Sequence, residues 1–227
     1  GRQRNLEGET VSREGRSGSM TLLILVVIGY LSGSVMYAQL LGRLVRIDLL
    51  AVGDGNPGAV NLWRNAGYRY GLAAVALDFL KGYVPIALFL QADLIRADDP
   101  AVAAVAAAPV AGHLFSPFLQ FRGGKGIATT FGVWSALTYF EVSLVYAVIL
   151  GLLKLADLKF VHGRIPAAGA DAFQVVFGLL AVSAWLYERS FPAPILWFWC
   201  ANLLLLAWAH KERLYLFYKA VGKRKNS

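Results

Sequence analysis

IATTFGVWSALTYFEVSLVYAVILGLLKL, Ile127 to Leu155, is the stretch on which the fold of this chain turns. At ~1.5 Å per residue, one helix of this length would measure about 43 Å, too long for one untilted bilayer crossing and short for two full ones. Around it lie other apolar runs at roughly 20–42, 70–92, 98–120, 165–187 and 191–209, each of about one span. With 57% hydrophobic and 16% charged residues, the 227-residue chain is expected to be all-α, a polytopic integral membrane protein.

Charge between the runs addresses what length cannot. Lys plus Arg exceed Asp plus Glu by 2 in each of 43–69, 120–126 and 154–164 and by 5 in 211–227, whereas 91–99 carries −2 and 188–190 is neutral. If every positive segment faces the cytoplasm, the chain must turn back within 127–155, near Tyr139 to Glu141. That predicts about seven membrane helices, two of them short, with the N-terminus outside. One long tilted helix and six spans is the competing reading. Residues 1–19 are polar and lack apolar periodicity, so they are expected to be a disordered or non-native extension. The apolar segment at 21–31 resembles a signal-peptide core, yet further spans follow and it is taken as the first transmembrane helix. Residues 20–218 then form a single membrane-embedded domain, and 219–227 a basic cytoplasmic tail.

A net charge of +8 is dispersed over loops that flank the spans. Positive-inside bias accounts for most of it, contact with anionic lipid headgroups fits the remainder, and no nucleic-acid module is visible. The single cysteine, Cys200, lies in an apolar run, which excludes a disulfide framework and a cysteine-based metal cluster. Without a paired-aspartate motif, no divalent metal or other cofactor is expected.

Two glycine-rich segments carry the chemistry. In GDGNPGAVNLWR, Gly53 to Arg64, glycines permit close backbone approach, Asn56 and Asn61 offer amide donors, and Arg64 adds a bidentate fork suited to phosphate. An ordinary turn opening a surface helix is the plain alternative. In FRGGKGIATT, Phe121 to Thr130, Gly123, Gly124 and Gly126 surround Lys125 just before a helix start. Unpaired N–H groups, the helix dipole, Lys125 and the hydroxyls of Thr129 and Thr130 are expected to converge there on one anion. Gly126 follows the lysine where a Walker loop needs Ser or Thr, so nucleoside triphosphate hydrolysis is not expected.

Within the apolar runs, Asp78 and Lys81 stand at i and i+3, on one helix face where they can pair. Ionisable groups at membrane depth mark functional sites by default, although a purely structural pair is the alternative. His113 precedes the second glycine-rich segment and suits either a hydrogen-bonded helix contact or a base. Gly33 and Ser34 suit close helix packing better than nucleophilic chemistry, since no His or Asp lies near Ser34 in sequence. Trp185, Trp197 and Trp199 suit interfacial anchoring.

Taken together, GYLSGSVMYAQLLGRL (29–44), GDGNPGAVNLWRNAGYRYGLAAVALDFLKG (53–82) and GHLFSPFLQFRGGKGIATTFGV (112–133) resemble the motifs of the bacterial acyl-phosphate:glycerol-3-phosphate acyltransferases of the PlsY type. The resemblance implies a seven-helix enzyme of the bacterial inner membrane with its active site facing the cytoplasm. It implies transfer of a fatty acyl group from acyl phosphate to the sn-1 hydroxyl of glycerol 3-phosphate, giving lysophosphatidate and inorganic phosphate. Carried onto this chain, His113, Lys125 and Asp78 are the expected catalytic residues. Ser34, Gly55, Asn56, Gly58, Asn61, Arg64, Lys81, Gly123, Gly124, Gly126, Thr129, Arg164 and His210 are the expected substrate-binding ones. The expected partners are glycerol 3-phosphate, acyl phosphate and membrane lipids, and the oligomeric state is left open.

The chain departs from the pattern in places. Asp54 stands where the family usually has Ser, a carboxylate that should repel an anion unless Arg64 or Lys81 neutralises it. HGRIPAAGADA (162–172) matches the Arg-Tyr-Val-Ser-Leu-Ala-Ser segment only dimly, leaving Arg164 as a cation without a matching serine. His210 matches the start of a His-x-x-Asn pattern whose Asn is Arg213 here. These departures leave room for a divergent paralogue or a catalytically silent scaffold, and the intramembrane Asp and Lys with glycine-broken helices would also suit a transporter of a phosphorylated metabolite.

Overall fold

In the computed structural model, residues 2–161 and 167–225 are described, with side chains described for 18–159 and 167–222. Arg164 and His162 therefore lie outside the described residues. The elements are α1 (Arg2–Ser34), α2 (Tyr37–Leu44), α3 (Ala59–Ala66), α4 (Tyr68–Gln91), α5 (Val102–Leu114), α6 (Ile127–Leu137), α7 (Glu141–Ala156), α8 (Ala167–Glu188) and α9 (Ala193–Lys225), with a short 3-10 turn at Pro117–Leu119. Every described element is helical, and five stretches are long and apolar enough to cross a membrane.

The 127–155 run breaks where charge places the break. α6 stops at Leu137, Tyr139 and Phe140 take positive φ values of 48° and 68°, and α7 starts at Glu141. Across the break, Ser135 and Ser143 share a hydrogen bond of 2.8 Å, the Ser143 hydroxyl reaches the Phe131 carbonyl at 3.1 Å, and the Phe131 and Tyr146 rings stack at 5.0 Å. Contacts that pair residues about equally far on either side of a turn define an antiparallel hairpin, so the chain turns back here. The Thr138 hydroxyl receives the Val142 N–H at 3.2 Å and so caps α7 from within the turn.

Small residues let the helices approach closely. A Cβ on Gly33 would fall on the backbone of Pro109, joining α1 to α5, and one on Gly132 would meet the Phe79 carbonyl, joining α6 to α4. The Gly33 contact is the close packing expected of that segment. The backbone of α1 continues through the polar stretch expected to be an unstructured extension. Extending an existing helix costs far less than nucleating one, and no proline interrupts residues 2–34.

The core centres on Trp134, Tyr146, Phe198, Leu179 and Leu206, all fully enclosed. Its polar groups are satisfied internally: the Trp134 indole N–H donates to Asn202 Oδ1 at 3.0 Å, and Asn202 Nδ2 donates to the Thr130 hydroxyl at 3.1 Å. This packing fixes α6 and α9 against each other, and their ends next to the glycine-rich loops build the site.

Candidate active site

The two glycine-rich segments, far apart in sequence, meet at one end of the bundle. Lys125 Nζ lies 3.4 Å from Asp54 Oδ2, and Arg213 of α9 donates to the same oxygen. The two departures from the family pattern are therefore partners: the carboxylate at 54 is neutralised by Arg213 and Lys125, not by Arg64 or Lys81. Lys81 is unavailable because it is buried 2.8 Å from Asp78 and donates to the Val35 carbonyl at 2.6 Å. The pairing expected from the i, i+3 spacing thus forms, and it ties α4 to the end of α1.

The first loop is held by one side chain. Asn61 Nδ2 donates to the carbonyls of Leu49, Val52 and Asn56 at 3.0, 2.9 and 3.1 Å, with its two hydrogens shared among three acceptors. Its Oδ1 accepts from Asn65 at 3.0 Å. Asn61 is thus committed to the loop itself. The Asn56 N–H donates to Asp54 Oδ1 at 3.2 Å, an Asx turn that aims the carboxylate.

The second loop is held by its own backbone. The N–H groups of Gly123 and Gly124 donate to the Leu114 and His113 carbonyls at 3.0 and 3.1 Å, so these donors anchor the loop on α5 rather than stand unpaired for an anion. Gly124 must lack a side chain because a Cβ would press on His113 Nε2, and Gly126 turns the chain into α6 at φ 75°. The threonine hydroxyls do not converge on the anion position. Thr129 faces His113 Nδ1 at 3.3 Å and Thr130 faces Asn202, because the rotation of α6 turns both inward.

His113 is buried, with Asp78 Oδ1 3.9 Å from its Nδ1, beyond hydrogen-bonding range. His210 is buried too, its Nδ1 2.8 Å from the Leu206 carbonyl. Ser34 stands apart: its hydroxyl donates to the Tyr30 carbonyl at 2.7 Å, its own carbonyl accepts from Ser116 at 2.7 Å, and it lines neither cavity described below. Its side chain lies at the α1–α5 contact, the close packing expected of Gly33 and Ser34.

Two cavities flank the Asp54 cluster. One, of about 410 Å³, is bounded by Leu50, Phe121, Arg122, Gly124, Trp208 and Lys211. The other, of about 550 Å³, combines an apolar wall of Val60, Val75, Phe79, Phe131 and Val175 with Arg64, Asp78, His113 and His210. Asp54, Asn56, Lys125 and Arg213 border both. Partial burial disfavours a charged Asp54, but the Lys125 ammonium, the Asn56 N–H and Arg213 outweigh it and hold the carboxyl below its usual range. Burial, reinforced by Arg213, lowers Lys125 from the usual ammonium value despite Asp54. Arg213 is the residue that sequence reasoning undervalued. Its spacing of three from His210 puts it one turn further along the same face of α9, a signal available in the sequence.

A helical membrane bundle that gathers Arg64, Lys125 and Arg213 beside an apolar-walled cavity defines an integral membrane protein suited to anionic ligands with an apolar portion. Comparison with known proteins makes the class specific. The model of the family described as glycerol-3-phosphate acyltransferase matches residues 23–218, and the chain belongs to that family of enzymes. It is 38% identical to "Glycerol-3-phosphate acyltransferase 1" of Thermotoga maritima over 207 residues, 89% of this chain and 100% of that protein. It is 33% identical to "Glycerol-3-phosphate acyltransferase" of an Anaeromyxobacter species over 208 residues, 89% of this chain and 95% of that one. Among solved structures, the glycerol 3-phosphate form of PlsY, an integral membrane glycerol 3-phosphate acyltransferase, superposes with a TM-score of 0.73 at 28% identity, covering 86% of this chain and 90% of that one. The lysophosphatidic acid form of PlsY gives a TM-score of 0.72 at 27% identity over the same shares.

Proposed function

We propose that the acyl donor is an acyl phosphate, that the acceptor is the sn-1 hydroxyl of glycerol 3-phosphate, and that both meet between Lys125, Arg64 and the apolar wall of the larger cavity. The observation that carries this reading is the conjunction of fixed cations with that wall in one cavity: a phosphate needs the first and an acyl chain the second. The solved relatives' glycerol 3-phosphate and lysophosphatidic acid forms support the acceptor and the product. Arg64, at the last turn of α3, suits the acceptor phosphate because its planar fork can engage two oxygens. Lys125 suits the phosphate that leaves.

An acyl phosphate is already activated, so the protein has to place the hydroxyl against the carbonyl carbon, balance two phosphates and exclude water. The acceptor oxygen forms a bond to the carbonyl carbon, the C–O bond to phosphate breaks, and the hydroxyl proton leaves with inorganic phosphate. A donor phosphate oxygen lies within reach of that proton and gains basicity as the bond breaks. His113, buried against Thr129 and Gly124, then acts by holding the Lys125 loop in place instead of accepting the proton.

The reading also places this end of the bundle on the cytoplasmic side of a bacterial inner membrane, with α6 and α7 crossing as short spans shielded by neighbours. Cysteines at Tyr139 and at Gly222 in a Cys200→Ala background should label from opposite sides, and labelling from one side would support six spans. The function itself is tested by phosphate release from acyl phosphate in detergent or lipidic mesophase. Release that depends on glycerol 3-phosphate supports it, whereas release indifferent to the acceptor, or uptake of the acceptor into liposomes without turnover, refutes it.

A further inference from the structure

Asp54 joins three segments remote in sequence. Its carboxylate meets Lys125, 71 residues away, and Arg213, 159 residues away, while its other oxygen accepts the Asn56 N–H. The three charged side chains are only partly covered, at 33% exposure for Asp54, 23% for Lys125 and 27% for Arg213. They stand where the two cavities share a border, so an anion entering from either side meets them. One carboxylate oxygen receiving two cations occupies the position that an oxygen of a phosphate would need to engage both. A phosphate and Asp54 are therefore competitors for Lys125 and Arg213, and the cluster as a whole carries one positive charge.

We infer that Asp54 is an internal competitor for phosphate: it holds Lys125 and Arg213 at the border between the cavities and weakens retention of inorganic phosphate through the net charge of the cluster. A site that releases phosphate at every turnover gains from such a competitor, because two unopposed cations would hold the dianion. Arg213 compensates for the carboxylate and keeps the cluster cationic, so substitutions at 54 and 213 offset each other. The inference rests on the acyl-transfer reading only for the identity of inorganic phosphate as product; the competition itself is electrostatic.

The test uses the full chain in detergent with inorganic phosphate as probe, read by calorimetric binding and by inhibition of turnover. Asp54→Asn keeps the acceptor for the Asn56 N–H while raising the cluster's charge by one, Arg213→Gln lowers it by one, and the double variant restores it. Phosphate should bind roughly 3- to 10-fold more tightly to Asp54→Asn and weaken by a similar factor in Arg213→Gln, with the double variant within about 2-fold of wild type. The gain in Asp54→Asn should shrink as salt rises. If both single variants weaken phosphate and the double variant is worst, or if Asp54→Asn leaves phosphate binding unchanged while the protein remains monodisperse, the carboxylate is a structural strut and the inference fails. An Asp54→Asn protein that does not fold would point the same way. Binding is measured without acyl phosphate, so absence of acyl transfer by the wild type would overturn the functional reading and leave this outcome separately decidable.

Discussion

The two glycine-rich loops resemble each other in sequence and are held in opposite ways. The loop at 48–58 is pinned by a side chain that reaches into it, Asn61, whereas the loop at 115–126 is pinned by its own N–H groups and leaves no free space for a side chain at Gly124, which abuts the His113 ring. In both, polar groups that invite assignment to a ligand are used for architecture: Asn61 in the first, the Gly123 and Gly124 N–H groups in the second. The cations that line the larger cavity come from separate places: Arg64 from the first segment, Lys125 from the second, and Arg213 from a helix in neither. Glycine and asparagine shape the two loops, and on the proposed function the long cations engage the phosphates.

This contrast predicts that the first loop fails when a side chain is removed and the second when one is added. Asn61→Ala leaves three carbonyls without their donor, two of them bonded at 2.9 and 3.0 Å, and should cost about 2 to 4 kcal/mol, read as a lower melting temperature in detergent. Retained stability would break the comparison. Lys125→Ala should leave melting nearly unchanged and lower kcat/KM by roughly 10- to 150-fold, the loss of a charge-assisted contact worth about 1.5 to 3 kcal/mol. A marked loss of stability instead would return Lys125 to the architectural class. Gly124→Ala should cost about 1 to 3 kcal/mol, because the added methyl has to displace the His113 ring.

Smaller effects sharpen the division between cations. Arg64→Lys keeps the charge and loses the fork, so the acceptor KM should rise several-fold, on the order of 1 kcal/mol, with kcat little changed. A donor KM that rises instead would move Arg64 to the other phosphate. His113→Gln retains a donor toward Thr129 and should keep kcat within about 10-fold with no near-neutral titration lost, whereas a true general base would cost ~10² to 10⁴-fold.

Much of the fold was legible for reasons that can be named. Apolar length gave the long helices, and charge between runs gave a reversal near 139–141, found at 138–140, which turn propensity would have missed because Tyr139 and Phe140 take positive φ without glycine or proline. The Asp78–Lys81 pair was legible because a helix fixes which residues share a face. The second glycine-rich loop was half legible. Its glycines and lysine mark a helix start, but the rotation of α6 that turns Thr129 and Thr130 inward is set by packing against α4 and α9. Ser34 was legible as a packing residue from its small neighbours, and its hydroxyl turns back on Tyr30; only the resemblance assigned it to substrate. The Asp54–Arg213 pair was out of reach, since nothing local connects residues 159 positions apart. Each looked like a defect alone, and together with Lys125 they make a border between two cavities that carries one net positive charge.

The central claim is that this bundle end transfers an acyl group from phosphate to glycerol 3-phosphate. Its most direct test offers purified protein labelled glycerol 3-phosphate with a long-chain acyl phosphate or the matching acyl thioester as sole donor, and identifies the product by mass spectrometry. The account predicts lysophosphatidate and inorganic phosphate in equal amounts from acyl phosphate and none from the thioester. Equal use of the thioester, or fatty acid in place of lysophosphatidate, would contradict it.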